Sequence, residues 1–257
     1  AYALAFPGQA EEFFGWLRPA LTSTFDWFFL MAANIFVIFC LLLIVLPVGS
    51  VRLGGAEATP DYTYVGWFAM LFAAGMGIGL MFWSVAEPTA YYTGWYGTPL
   101  DVAKNTPEAL EMAMGATMFH WGLHPWAIYA VVALSLAFFT YNKGLPLTIR
   151  SAFFPFIKDR SWGWFGHVVD VVAVMATIFG LATSLGFGAQ QAASGLNHLF
   201  DIPNTINTQI AIIIGVTAVA IVSVVRGLDG GVKVLSNLNM GIALLLLVFV
   251  IVTAHGF

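Results

Sequence analysis

Charge is what this sequence has least of. Of 257 residues, 9% are Asp, Glu, Lys or Arg, against about a quarter in a soluble domain. That excludes a surface solvated by water on every side. The nine basic residues are scattered, and without a basic stripe there is no footprint for nucleic acid. Cysteine is nearly absent: Cys40 stands alone in an apolar run, so there is no disulfide framework and no cysteine-based metal site. No secretory leader is expected in the opening stretch, where Glu11, Glu12 and Asp26 stand with no basic segment before an apolar core. What is there is apolar: 60% hydrophobic residues and a mean hydropathy of +0.87. The expected fold is all-α and polytopic, in a lipid bilayer, where helices satisfy their own backbone groups.

Six segments reach the roughly 20 residues a span needs. They are residues 27–48, 65–86, 112–139, 167–200, 206–225 and 236–254. The fourth is too long for one perpendicular crossing and must tilt or project. Residues 1–26, with Phe13, Phe14, Trp16 and Leu17 beside Glu11 and Glu12, form an interfacial segment ahead of them. With the N-terminus outside, seven basic residues fall inside (Arg52, Lys143, Arg150, Lys158, Arg160, Arg226, Lys233) and only Arg18 and Lys104 outside. The excess of Lys and Arg on inner loops decides for that orientation. The inner loop 142–164 mixes Arg150, Lys158 and Arg160 with Phe153, Phe154, Phe156, Trp162 and Trp164. It reads either as a surface helix at headgroup level or as a snorkelling boundary.

The second span holds Gly75, Gly77 and Gly79 in five positions. Glycine weakens a helix, and backbone released in lipid must face protein or a watery cavity. A broken, ligand-facing helix is one reading. Close packing through Gly75-x-x-x-Gly79 is the other. Glu87 closes this span at its outer end, where water would offset its charge.

The third span carries Trp121, Trp126 and Tyr129. On one continuous helix they fall within an arc of about 140°. Such a face suits a quaternary ammonium or sulfonium through cation–π contacts worth about 0.5–2 kcal/mol per ring; an interfacial aromatic belt is the plainer alternative. Pro125 should bend the helix where it stands. His120 and His124, four apart, could pair on a metal, but Trp121 stands where a metalloprotease helix has its Glu. Packing or hydrogen bonding is the better reading, so no metal, cofactor or catalytic residue is assigned. The fourth span offers Thr177, Thr183 and Ser184, whose hydroxyls suit Na⁺ or bond back to the helix carbonyls.

These motifs resemble the betaine/carnitine/choline transporter family. The resemblance lies in Ala73-Ala74-Gly75-Met76-Gly77-Ile78-Gly79-Leu80-Met81-Phe82-Trp83 with Glu87-Pro88. It continues in His120-Trp121-x-Leu123-His124-Pro125-Trp126-x-Ile128-Tyr129, in Ala176-Thr177-x-Phe179-Gly180 and in Leu235-Ser236-Asn237-x-Asn239-Met240. It implies a secondary carrier, not an enzyme, for a small cationic or zwitterionic osmolyte such as glycine betaine, choline, carnitine or dimethylsulfoniopropionate, with Na⁺ as coupling ion. A channel-like or structural subunit, or a His-metal intramembrane enzyme, are the alternatives.

The family's fold sets two five-helix inverted repeats against each other, as in the neurotransmitter-sodium symporters. By the resemblance, residues 27–48 match a helix that precedes the repeats and residues 65–254 match the whole first repeat. The second repeat, needed to complete the site, is then missing. Trp121, Trp126 and Tyr129 resemble substrate-cation ligands, and the stretch Gly75, Met76, Gly77 and Gly79 resembles the unwound segment beside the substrate. Ala73 and Met76 resemble carbonyl ligands of one Na⁺, and Thr177 one of two threonines at another. The second of these threonines falls at Leu181, which offers no oxygen. The family also implies a homotrimer.

Overall fold

Helix is the only extended element among the described residues. A computed structural model describes residues 2–75, 77–95 and 97–254. After the single turn α1 (Tyr2–Ala5) come α2 (Pro7–Val45), α3 (Tyr64–Gly75), α4 (Ile78–Thr93), α5 (Pro107–Trp121) and α6 (Leu123–Ala137). Then follow α7 (Phe154–Ile157), α8 (Trp164–Phe200), α9 (Ile206–Val225) and α10 (Lys233–Ala254). Five helical stretches are long and apolar enough to cross a bilayer, and six if the bent pair α3–α4 is one span. The expected number of spans is therefore met, and α9 has the expected bounds.

The ends and interruptions differ from expectation. α2 runs unbroken for 39 residues through position 26, about 58 Å at the helical rise, so no break separates the interfacial segment from the span. α4 continues past Ala86 to Thr93 and keeps Pro88 inside. α10 begins at Lys233 rather than Ser236. The loop 142–164 is not one surface helix: 3-10 turns at Ile149–Phe153 and Lys158–Trp162 flank the single turn α7. Pro146 and Pro155 remove donors there, and Lys158, at φ 48°, ends α7 in the left-handed region where a helix cannot continue.

The chain divides into two units. One takes in the chain up to Ala58 with Gly115–His167, and the other Thr59–Met114 with Val168 onward. In the first, α2 packs on α6, with Ala33 and Ala127 buried between larger lipid-facing side chains. The Asn142 amide clamps the loop after α2, donating to the Arg52 carbonyl at 2.8 Å and accepting from the Gly54 N–H at 3.0 Å. In the second, α3 packs on α10 through small residues, Gly66, Ala69 and Ser236 being buried. Lipid tails are as apolar as leucine, so helix contact rests on close approach rather than on hiding large side chains. Ile44 and Val225, for example, are 78% and 80% exposed.

α8 approaches the start of α4 at Gly188. A Cβ there would stand 2.5 Å from Cδ1 and 2.6 Å from Cγ2 of Ile78. Gly188→Val is therefore expected to destabilise by about 1–3 kcal/mol. Gly186→Val, where nothing lies within 4 Å, should be near neutral. Thermal unfolding of the two variants in one detergent checks this, and equal midpoints would refute it.

Candidate functional site

The three glycines do break the second span. α3 stops at Gly75, α4 restarts at Ile78, and the two axes meet at 53°. Gly77 caps α4 in an extended conformation, which frees backbone groups that a continuous helix would have used. Met76 lies outside the described residues. Across from the restart, α8 presents Ser184, Phe187 and Gly188. The Phe187 ring stacks on Phe82 at 4.8 Å and meets Trp83 edge-on at 5.6 Å. Ser184 Oγ is the atom nearest a Cβ built on Gly79, at 4.0 Å. Glu87, about two turns beyond Gly79 on α4, is only 5% exposed. Its carboxylate is met by the Tyr91 phenol, one turn on. The expectation of a water-offset charge at that position is thus replaced by burial against an intrahelical partner.

On α8 the hydroxyls bond back to the helix. Thr177 Oγ1 donates to the Ala173 carbonyl at 2.9 Å and Thr183 Oγ1 to Phe179 at 2.8 Å. Each keeps oxygen lone pairs to accept or ligate. Leu181 is 59% exposed and contributes no oxygen.

The third span, Pro107–Asn142, is one long stretch interrupted at a single residue, and not at Pro125. α5 ends at Trp121, Gly122 leaves helical geometry, and α6 begins at Leu123. Pro125 then falls in the first turn of α6, where a missing N–H costs nothing because first-turn donors have no intrahelical acceptor. Gly122 is required by contact: a Cβ there would stand 2.7 Å from the Met118 carbonyl oxygen. The Trp121 carbonyl, which a non-proline residue at 125 would have bonded in a continuous helix, accepts instead from the Trp126 indole N–H at 3.0 Å. This latch holds the Trp126 ring by its edge, and the residue stays 40% exposed. Tyr129 lies on the same helix with its ring centroid 6.3 Å from that of Trp126. The 140° arc is therefore corrected. Trp126 and Tyr129 share a helix, but Trp121 belongs to α5 and is joined to Trp126 through its carbonyl.

The break also separates His120 from His124, so the i, i+4 metal pair has no continuous helix to stand on. His124 Nε2 lies 3.2 Å from Asn34 Oδ1 of α2, and its ring lies 4.8 Å from Phe119. Among the described residues no three His, Cys, Asp or Glu side chains gather as metal ligands would.

Two broken spans, each carrying a motif that resembles a transporter family, invite comparison with known sequences. The family profile described as betaine/carnitine/choline family transporter matches residues 1–256. The chain belongs to the betaine/carnitine/choline transporter family. Glycine betaine transporter 1 of Vibrio parahaemolyticus is 67% identical over 234 residues, 91% of this chain and 45% of that protein. Glycine betaine transporter OpuD of Bacillus subtilis is 46% identical over 232 residues, 90% and 45% of the two chains. The high-affinity choline transport protein of Escherichia coli K12 is 44% identical over 231 residues, 90% and 34%. The chain thus spans less than half the length of these relatives.

Within this betaine/carnitine/choline family chain, the glycine stretch and Thr177 lie in the second unit and the aromatic box in the first. Sequence reasoning missed Gly122 as the break and Asn34 as the partner of His124. It also gave no role to a groove of about 450 Å³ between α4 and α8, lined by Thr89, Thr93, Trp95, Gln190, Gln191 and Ser194 among others. The adjacent Gln190 and Gln191 in an apolar helix were the available signal.

Proposed function

We propose that this chain is the N-terminal half of a secondary active carrier that imports a quaternary-ammonium or sulfonium osmolyte, such as glycine betaine, choline, carnitine or dimethylsulfoniopropionate, coupled to Na⁺. The observation that carries this reading is the latched indole. Trp126 is held by its edge, so its face is presented without the entropic cost of ordering a free ring. Tyr129 stands beside it. A cation with methyl groups in place of N–H donors gains from such faces and needs no hydrogen-bond acceptor.

In this reading Trp121, Trp126 and Tyr129 bind the cationic head. The broken stretch Gly75, Met76, Gly77 and Gly79 lines the substrate path. Carbonyls of Ala73 and Met76 ligate one sodium ion, and the Thr177 hydroxyl contributes to a second sodium site. Residues 65–254 form one five-helix repeat, residues 27–48 a helix ahead of it, and residues 1–26 an outer segment. The chain sits in a bacterial inner membrane with its N-terminus outside, in a homotrimer of full-length carriers. An inverted second repeat completes the site, since such carriers bind at the interface between repeats.

The test is uptake in proteoliposomes. The full-length carrier should show saturable, sodium-stimulated uptake of labelled glycine betaine, and the 257-residue chain alone none. Absence of uptake by the full-length protein for all four substrates, or single-channel conductance in its place, would overturn the carrier reading. Uptake by the 257-residue chain alone would overturn the half-site.

A further inference from the structure

The start of α6 is tied to α2 by one side-chain pair. Asn34 sits within the apolar run of α2, and its Nδ2 donates to the Leu30 carbonyl of its own helix at 2.9 Å. That commits the amide orientation and leaves Oδ1 as an acceptor. Oδ1 faces His124 Nε2 at 3.2 Å, so the imidazole donates and carries a proton on Nε2. On its other side the His124 ring meets Phe119 of α5. His124 thus stands between α2 and the end of α5, in the first turn of α6 and two residues before Trp126. Further along α2 the Cys40 thiol points at the Ala127 carbonyl at 3.9 Å, so the same helix also meets α6 at the residue after Trp126.

The break at Gly122 makes this tie consequential. A continuous helix would carry Trp126 in a register set by α5. With the helix interrupted, α6 takes its direction from its packing on α2 and from what holds its first turn. Two polar contacts do so: the latch from Trp126 to the Trp121 carbonyl, and the pair between His124 and Asn34. An amide and an imidazole in hydrocarbon have little water to turn to, which favours keeping their mutual bond.

We infer that Asn34 is a positioning residue for the aromatic box, acting through His124 without touching substrate. The inference rests on the carrier reading above. It gives α2, a helix that by resemblance lies ahead of the repeats, a part in setting the geometry of the site.

The test has two arms. In the full-length carrier, Asn34→Leu should raise the apparent KM for glycine betaine about three- to tenfold, the size of one lost hydrogen bond, with Vmax kept within about twofold. Asn34→Asp keeps the acceptor and His124→Gln keeps a donor near Nε2, so both should stay within about twofold of the parent KM. An unchanged KM in Asn34→Leu overturns the inference. So does a fall in Vmax and yield shared by all three variants, which marks a merely structural contact. If Asn34→Leu does not insert, His124→Leu against His124→Gln makes the same comparison.

The second arm needs no transport: hydrogen exchange of the 257-residue chain in lipid nanodiscs. Asn34→Leu should speed exchange at residues 123–129 and leave residues 206–225 unchanged. Equal rates at 123–129 refute the positioning role. An inactive parent carrier with accelerated exchange would instead refute only the carrier reading.

Discussion

Trp126→Leu in the full-length carrier is expected to raise the apparent KM for glycine betaine about ten- to a hundredfold. Two losses add. The cation–π face is worth about 0.5–2 kcal/mol. Loss of the indole N–H also removes the 3.0 Å bond to the Trp121 carbonyl, worth about 0.5–1.5 kcal/mol. Each 1.4 kcal/mol is a factor of ten. Trp126→Phe separates the two losses. It keeps a ring face but removes the N–H, so its KM should rise by about three- to tenfold only. Initial-rate uptake over a range of betaine concentrations measures both. A parent-like KM in Trp126→Leu removes this residue from the site, and identical values for Leu and Phe remove the face and leave only the latch.

Gly122→Ala should damage transport comparably, although residue 122 needs no contact with substrate. The added methyl would sit 2.7 Å from the Met118 carbonyl oxygen, and backbone cannot swing aside as a side chain can. Relief requires α5 and α6 to shift at their junction, at a cost of about 1–3 kcal/mol. That movement draws the Trp121 carbonyl away from the Trp126 indole. Gly115→Ala, earlier on α5 with nothing within 4 Å, should gain helix propensity of up to about 1 kcal/mol and transport normally. Parallel uptake and thermal unfolding of the pair form the check. A Gly122→Ala variant with parent KM and parent melting midpoint would show that the junction tolerates a side chain.

Much of the helix layout was legible because lipid imposes a simple rule: about 20 apolar residues between polar ends. α9 met its expected bounds, since Pro203 and Asn204 precede it and Arg226 follows it. The break at Gly75–Ile78 was legible because three glycines in five positions are hard to reconcile with a stable helix. The break at Gly122 was not. A single glycine in an apolar run is usually a packing position, and Pro125 drew the eye as the kink. The physical order is the reverse. The proline is tolerated because a helix begins just before it, and the steric need for glycine appears only with the Met118 carbonyl in place.

Asn34 was invisible for a different reason. One amide in an apolar stretch says that a partner exists but not which. The family resemblance named Trp121, Trp126 and Tyr129 together, but the single-helix arc drawn through them assumed regular helix at Gly122, where the backbone leaves it.

The pairing of Asn34 with His124 spans 90 positions of chain, and that separation has a consequence in time. A ribosome adds about 5–20 residues per second, so α2 waits roughly 5–18 s for α6 to be made. For that interval Asn34 must sit in or beside the bilayer without its imidazole. Its bond to the Leu30 carbonyl needs nothing beyond α2 itself and is available as soon as that helix forms. The amide is then half satisfied during synthesis, and only its oxygen remains exposed until the later helix arrives. The nascent chain thus carries from the start a partner for the amide nitrogen, and that bond persists in the folded chain beside the later one to His124.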